Sequence, residues 1–246
     1  MIEILIVAIV ILVGMIFGSF ISCVSYRLPL EIDVIKKPSF CPNCNHKLGF
    51  KDLFPVFSWM LSGGKCRHCS VKISARYPLI ELITGAIFAL LYLKYGLTWQ
   101  AVILAGMVVA LLVMIVADME HFIIPDCVHV SLVPLAIAYR FVNGTFSPDI
   151  LWSFGLMTAI ALLLHYGYSA MRGRAMLGYG DVKFFAVVGL WLDIHQIPLF
   201  LLLSGVFGVV FGLVWQLLGK GKLFPFGPAL AVALLICLLS IKTIYI

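Results

Sequence analysis

Long stretches without charge dominate this chain. A helix needs roughly 20 mostly apolar residues to cross the hydrocarbon core of a bilayer. About eight such runs can be marked out, near 4–26, 77–95, 98–117, 127–142, 149–170, 181–195, 197–218 and 224–242. Composition agrees, since 63% of the residues are hydrophobic and only 11% charged, and a mean hydropathy of +1.13 lies outside the usual soluble range. The expected fold class is therefore an all-α polytopic membrane protein of about eight transmembrane helices. The first run lacks a basic start (Met1-Ile2-Glu3) and is too long for a cleaved signal peptide, so it is read as a span.

The 17 Lys and Arg residues are unevenly placed, with nine between Arg27 and Arg76 against only Glu31, Asp33 and Asp52. The positive-inside bias makes that loop cytoplasmic. With eight spans the same orientation brings Arg172, Arg174, Lys183, Lys220 and Lys222 inside. Lys94, Arg140 and Lys242 stay outside, so 14 of 17 agree and both termini are expected outside. The basic balance thus reports topology and attraction to an anionic inner leaflet. With no separate basic domain, no nucleic-acid partner is expected.

The loop from Arg27 to Arg76 is the only part polar enough to form a subdomain, and it carries Cys41-Pro42-Asn43-Cys44 and Cys66-Arg67-His68-Cys69. These two CxxC pairs stand 21 residues apart. Each CxxC turn lets two thiolates converge on one ion, so Cys41, Cys44, Cys66 and Cys69 are expected to close a tetrahedral structural zinc site. Disulfides are the alternative, which a reducing cytoplasmic location disfavours. His46 and His68 are possible substitute ligands. Four thiolates leave no open position for water, so such an ion would organise the loop rather than catalyse. Cys23, Cys127 and Cys237 lie in or beside apolar runs and read as small packing residues.

Acids within or at the ends of spans are costly and are functional candidates by default. Glu81 lies about one turn into the second run, where it could pair with a loop arginine such as Arg76 or face a ligand. Asp118 ends the third run and Asp181 begins the sixth, and the eight-span topology brings both to the cytoplasmic side. Two carboxyls a few ångströms apart cannot both ionise. One then serves as base and the other as acid, as needed to drive water onto a peptide carbonyl and to protonate the leaving amine. Gly178 and Gly180 flank Tyr179 just before Asp181, which allows an extended or tightly turned backbone and close approach by a substrate main chain. On spacing alone this Gly-Tyr-Gly-Asp stretch is also compatible with a plain interhelical turn. Asp126, after Pro125, reads as a cap of the next helix, and Glu120 and His121 as headgroup contacts or modulators of Asp118.

Gly18-Ser19-Phe20, Tyr26-Arg27-Leu28-Pro29, the paired CxxC loop with Asp52-Leu53-Phe54-Pro55 and Ser58-Trp59, Ile73-Ser74-Ala75-Arg76-Tyr77-Pro78 before Glu81-Leu82, the stretch from Asp118 to Pro125-Asp126, and Gly178-Tyr179-Gly180-Asp181-Val182-Lys183 follow one another in order. From about residue 14 to 230 the chain resembles the bacterial type IV prepilin peptidases. Ser22-Cys23 departs from the pattern, where Asn is the more usual residue before the Val.

The resemblance implies an inner-membrane aspartic peptidase of the GxGD type with Asp118 and Asp181 as its catalytic pair. It also implies a second activity. After the basic leader of a prepilin or pseudopilin is removed, the new amino terminus is N-methylated with S-adenosylmethionine. It assigns residues 1–97, with the cysteine loop at 27–76, to the methyltransferase and 98–246 to the peptidase bundle. No glycine-rich signature of a soluble methyltransferase is present, and Glu81 and Gly64 are the candidates for the donor site. Three other readings differ in what they require. A peptidase that drops the methyltransferase, as in relatives without the cysteine loop, is disfavoured by the intact four cysteines. A proton or cation transporter would place its acids near the bilayer midplane within inverted repeats, and a zinc-bearing scaffold would tolerate loss of both aspartates.

Overall fold

The computed structural model describes residues 1–172, 177–221 and 223–240. Arg174, Lys222 and Lys242, used above to orient the chain, lie outside the described residues, as do the last two positions of the eighth run. The described residues are helical, and their only β-type contacts are two isolated bridges, Phe40 with Lys47 and Lys65 with Lys72. The chain divides into two compact units, Met1–Val113 and Met114–Ile246.

The first unit holds α1 (Ile2–Arg27), a polar loop with the single-turn helix α2 (Phe57–Leu61), α3 (Arg76–Tyr95) and the first part of α4 (Trp99–His121). Helix α1 lies along α3, and small residues permit the contact. A Cβ on Gly18 would stand 2.5 Å from the Cα of Glu81, and one on Gly14 would stand 2.8 Å from the Cα of Gly85. Gly14 and Gly18 are four residues apart on one helix face, the spacing that lets helices touch backbone to backbone in lipid. Ile2, Leu5, Ile9, Val13, Ile16 and Phe20 are left exposed on α1, as suits a helix surrounded by hydrocarbon. Arg27, buried at its end, folds the loop back. Its guanidinium donates to the carbonyls of Asp33 (3.0 Å), Lys37 (2.6 Å) and Pro38 (2.9 Å).

The second unit contains the end of α4, then α5 (Asp126–Val142), α6 (Asp149–Arg172), α7 (Tyr179–Trp191), α8 (Ile197–Leu217) and α9 (Gly227–Ser240). Helix α7 is its core, packing on α6, α5 and α9 and burying Phe184, Val188 and Trp191. At Gly189 the α6 and α7 backbones nearly touch, since a Cβ there would stand 2.6 Å from the carbonyl oxygen of Ser153. Arg140 of α5 fastens the far end of α7, donating to the Leu190 carbonyl (2.7 Å) and the Asp193 carboxyl (2.6 Å).

Among the described residues five helices, α1, α3, α4, α6 and α8, are long and apolar enough to cross a bilayer. Helices α5, α7 and α9 have 17, 13 and 14 residues. The sixth apolar run therefore stops short of residue 195. Leu192 is extended, and Asp193 caps a new short turn with the side chain of Gln196 returning to its amide (2.7 Å). At 1.5 Å per residue α7 rises only about 20 Å, less than the roughly 30 Å hydrocarbon core. At its start Gly178 and Tyr179 are exposed.

Candidate functional site

Asp118 lies in the last turn of α4 and is only 6% exposed. Its Oδ2 accepts the backbone N–H of Gly227, the first residue of α9, at 2.7 Å. The first amides of a helix have no partner within it, so Asp118 caps α9 from another helix. Helix α4 then ends at Phe122, a non-glycine residue at φ 56° whose N–H returns to the Asp118 carbonyl at 2.9 Å.

Asp181 is the third residue of α7, and its Oδ2 accepts the N–H of Gly178 at 3.1 Å in a capping box. Asp118 and Asp181 stand 63 residues apart in sequence, and the packing of Gly180 on Ile124, just after α4, with the His129 contact to the Gly180 carbonyl, draws the start of α7 against the segment that follows Asp118. Gly178 is extended (φ −69°, ψ 154°) rather than left-handed. Gly180 serves close packing, since a Cβ there would stand 3.1 Å from the Cβ of Ile124, in the segment between α4 and α5.

Three further residues hold this corner. His129 of α5 contacts the Gly180 carbonyl through Nε2 at 3.0 Å, and His165 of α6 contacts the Leu177 carbonyl through Nδ1 at 2.7 Å. Lys183 reaches the Asp126 carboxyl at 2.6 Å. Asp126 is thus not the cap expected of it. Pro125 holds the N-cap position, and Asp126 sits in the first turn as an exposed partner of Lys183. Glu120 is exposed. Gly227 and the two histidines were not singled out from sequence. A polar ring inside an otherwise apolar helix is the signal for the histidines, whereas nothing local marks Gly227 as the partner of Asp118.

The cysteine loop is built from two turns of one design. In each, the first cysteine's N–H bonds the carbonyl five residues on (His46 and Val71, at 3.0 and 2.9 Å). In each, its carbonyl accepts the N–H four residues on (Asn45 and Ser70, both at 2.9 Å). Asn45 and Ser70 share left-handed φ values of 55° and 58°. The Sγ atoms of Cys41, Cys44, Cys66 and Cys69 lie within 4.8 Å of one another, with Cys41 and Cys69 at 3.9 Å.

A tetrahedral ion with metal–sulfur bonds of about 2.3 Å needs sulfurs about 3.8 Å apart, so this cluster fits a metal. All four are free thiols, not disulfides. The Asn43 side-chain amide donates to the Cys69 Sγ at 3.6 Å, a contact that favours the thiolate form that ligates metals. His46 and His68 stack on each other beside the cluster, ring centroids 3.4 Å apart.

A helical membrane protein with paired, partly buried carboxyls at helix ends and a metal-binding four-cysteine loop is the class defined by these features. Residues 12–95 match the bacterial peptidase A24 N-terminal domain, and residues 105–213 match the type IV leader peptidase family. The chain belongs to that family. Relatives named prepilin leader peptidase/N-methyltransferase include one from Neisseria gonorrhoeae, 30% identical over 89% of this chain and 85% of its own length. Another, from Bacillus subtilis (strain 168), is 30% identical over 95% of each chain. One from Pectobacterium carotovorum subsp. carotovorum is 32% identical over 89% of this chain and 88% of its own. No solved structure matches the chain.

Proposed function

We propose that this protein removes the leader peptide of type IV prepilins or pseudopilins with Asp118 and Asp181, and then N-methylates the new amino terminus. The observation that carries the reading is the meeting of these two carboxyls, each tied to a backbone amide at a helix start (2.7 and 3.1 Å), in a member of a leader peptidase family. One carboxylate takes a proton from the attacking water while the other, protonated, polarises the scissile carbonyl and then supplies the proton that the departing amine needs. The two carboxyls have separate roles, base and acid, so both members are required.

Residues 98–246 carry this peptidase. Residues 1–97 carry the methyltransferase, with S-adenosylmethionine as the methyl source. Cys41, Cys44, Cys66 and Cys69 hold a structural zinc that orders the loop. The protein sits in the bacterial inner membrane with the loop at 27–76 in the cytoplasm and both termini outside, since the prepilin's basic leader is made there and the loop's nine basic residues favour that side.

The test incubates purified protein with a prepilin and labelled S-adenosylmethionine and reads the product by intact mass. Asp118→Asn and Asp181→Asn should leave the prepilin uncut, whereas Cys41→Ser should cut it and leave its amine unmethylated. A prepilin still processed by either Asp variant would make the acid pair structural.

A further inference from the structure

We infer that the methyl donor binds in a cavity of the first unit whose deep end is Glu81, with the carboxylate taking the donor's cationic methionine portion and Ser22 adding a hydrogen bond. The inference rests on the methyltransferase reading and gives it a place.

The cavity encloses about 430 Å³ between α1, the cysteine loop and the start of α3, within the range of small-molecule sites. Its walls include the rings of Tyr26, Trp59 and Tyr77. Trp59 is fixed by its indole N–H, which donates to the Ile73 carbonyl at 3.0 Å.

Two polar groups at the inner wall lack a sufficient structural reason. Glu81 is 7% exposed. Its Oε2 accepts the N–H of Val56 at 2.7 Å, and the Ser19 side chain also bonds its carboxyl. A carboxylate offers about four acceptor directions, so these two partners leave capacity toward the cavity. Val56 presents that amide from φ 60°, a strained setting for a β-branched residue. Ser22 is 2% exposed and lines the same cavity, and its Oγ has no hydrogen-bond partner among the described residues. Buried polar atoms are rarely left in that state unless a water or ligand completes them.

A buried carboxylate, an orphan hydroxyl and aromatic walls suit a molecule that combines a cation with a flat ring. S-adenosylmethionine carries an ammonium, a sulfonium, a carboxylate and an adenine, and Lys65, Arg67 and Lys72, which also line the cavity, suit its carboxylate. In the transfer the neutral amine of the processed prepilin, having lost one proton to solvent, forms an N–C bond to the methyl as the S–C bond breaks. That electron pair stays on sulfur as a neutral thioether. Glu81 and Ser22 hold and orient, and no proton passes through them.

The experiment measures equilibrium binding of labelled S-adenosylmethionine to the purified full chain without prepilin, for wild type, Glu81→Gln, Glu81→Asp and Ser22→Ala. Metal content and circular dichroism report the fold. Losing a hydrogen bond to a charged group should weaken binding roughly 10- to 100-fold in Glu81→Gln, with Glu81→Asp less affected. Ser22→Ala, which removes one oxygen and no packing, should lose roughly 2- to 10-fold. If Glu81→Gln fails to fold, Ser22→Ala decides. Wild-type affinity in a folded Glu81→Gln or in Ser22→Ala overturns the inference while leaving the methyltransferase reading intact. A wild type that neither binds the donor nor methylates a cut prepilin overturns both.

Discussion

Replacing Gly227 with alanine tests whether the placement of Asp118 by α9 governs cleavage. The new Cβ would stand 2.8 Å from Asp118 Oδ2 and 3.3 Å from its Cβ and Cγ, inside the roughly 3.5–4.0 Å at which carbon atoms pack best. Gly227 lies outside the left-handed region, so alanine adds no backbone strain. The contact is relieved most cheaply by rotating Asp118 away, and that rotation breaks the 2.7 Å bond from the Gly227 amide. A hydrogen bond to a charged group contributes about 1.5–3 kcal/mol, which as a lost transition-state contact corresponds to a rate roughly 10- to 150-fold lower. Single-turnover cleavage of a purified prepilin reads the rate, and thermal unfolding of the same sample reads the stability. The expected result is slow cleavage with a lowered Tm, since the Gly227 amide and the Asp118 carboxyl lose the same bond in the resting protein. Cleavage at the wild-type rate would show that the placement of Asp118 by α9 has no bearing on the reaction.

Gly18→Ala drives a methyl against backbone, 2.5 Å from the Cα of Glu81, where no side chain can swing aside. It should cost about 1–3 kcal/mol, seen as a lower thermal midpoint, whereas Gly155→Ala, with nothing within 4 Å of the new carbon, should not. Removing metal with a chelator should make the segment from Arg27 to Arg76 sensitive to limited proteolysis while helix content is kept, because such a loop draws its folding free energy from the ion. His129→Leu removes the contact to the Gly180 carbonyl (3.0 Å) beside Asp181. It should lower kcat for cleavage roughly 5- to 10-fold, in line with a lost neutral hydrogen bond, and His129→Asn, which can donate to the same oxygen, should recover part of it.

What the sequence reveals here depends on whether the signal is local. The two CxxC turns are readable because each cysteine pair carries its own geometry within six residues. Their matching left-handed positions at Asn45 and Ser70 could not be assigned without coordinates, since neither is glycine. Asp118 and Asp181 are readable because an acid at the end of an apolar run is costly, and span counting brings both to one side. Gly227 is invisible by the same logic, because it matters only through a contact with a residue 109 positions away. The place of Asp126 after Pro125 suggests a cap, but capping preference competes there with an ion pair to Lys183 that only the tertiary fold supplies. Hydropathy runs on through Leu192 and suggests a longer α7, whereas the helix stops where Asp193 begins its own capped turn.

These details bear on how two acids can be held together at all. Like charges in a poorly hydrated setting repel strongly, and each carboxyl here is met by the start of a different helix. Gly178 at the head of α7 donates to Asp181, and Gly227 at the head of α9 donates to Asp118. A helix start carries about half a positive charge, so two of them offset part of the repulsion without placing a full cation between the acids, where it would bind one carboxylate and block the approach of water. If that offset matters, lengthening α7 backward with Gly178→Ala and Gly180→Ala together should move its start away from Asp181. Cleavage should then be lost even though both aspartates remain, and full cleavage by the double variant would show that the helix starts are incidental.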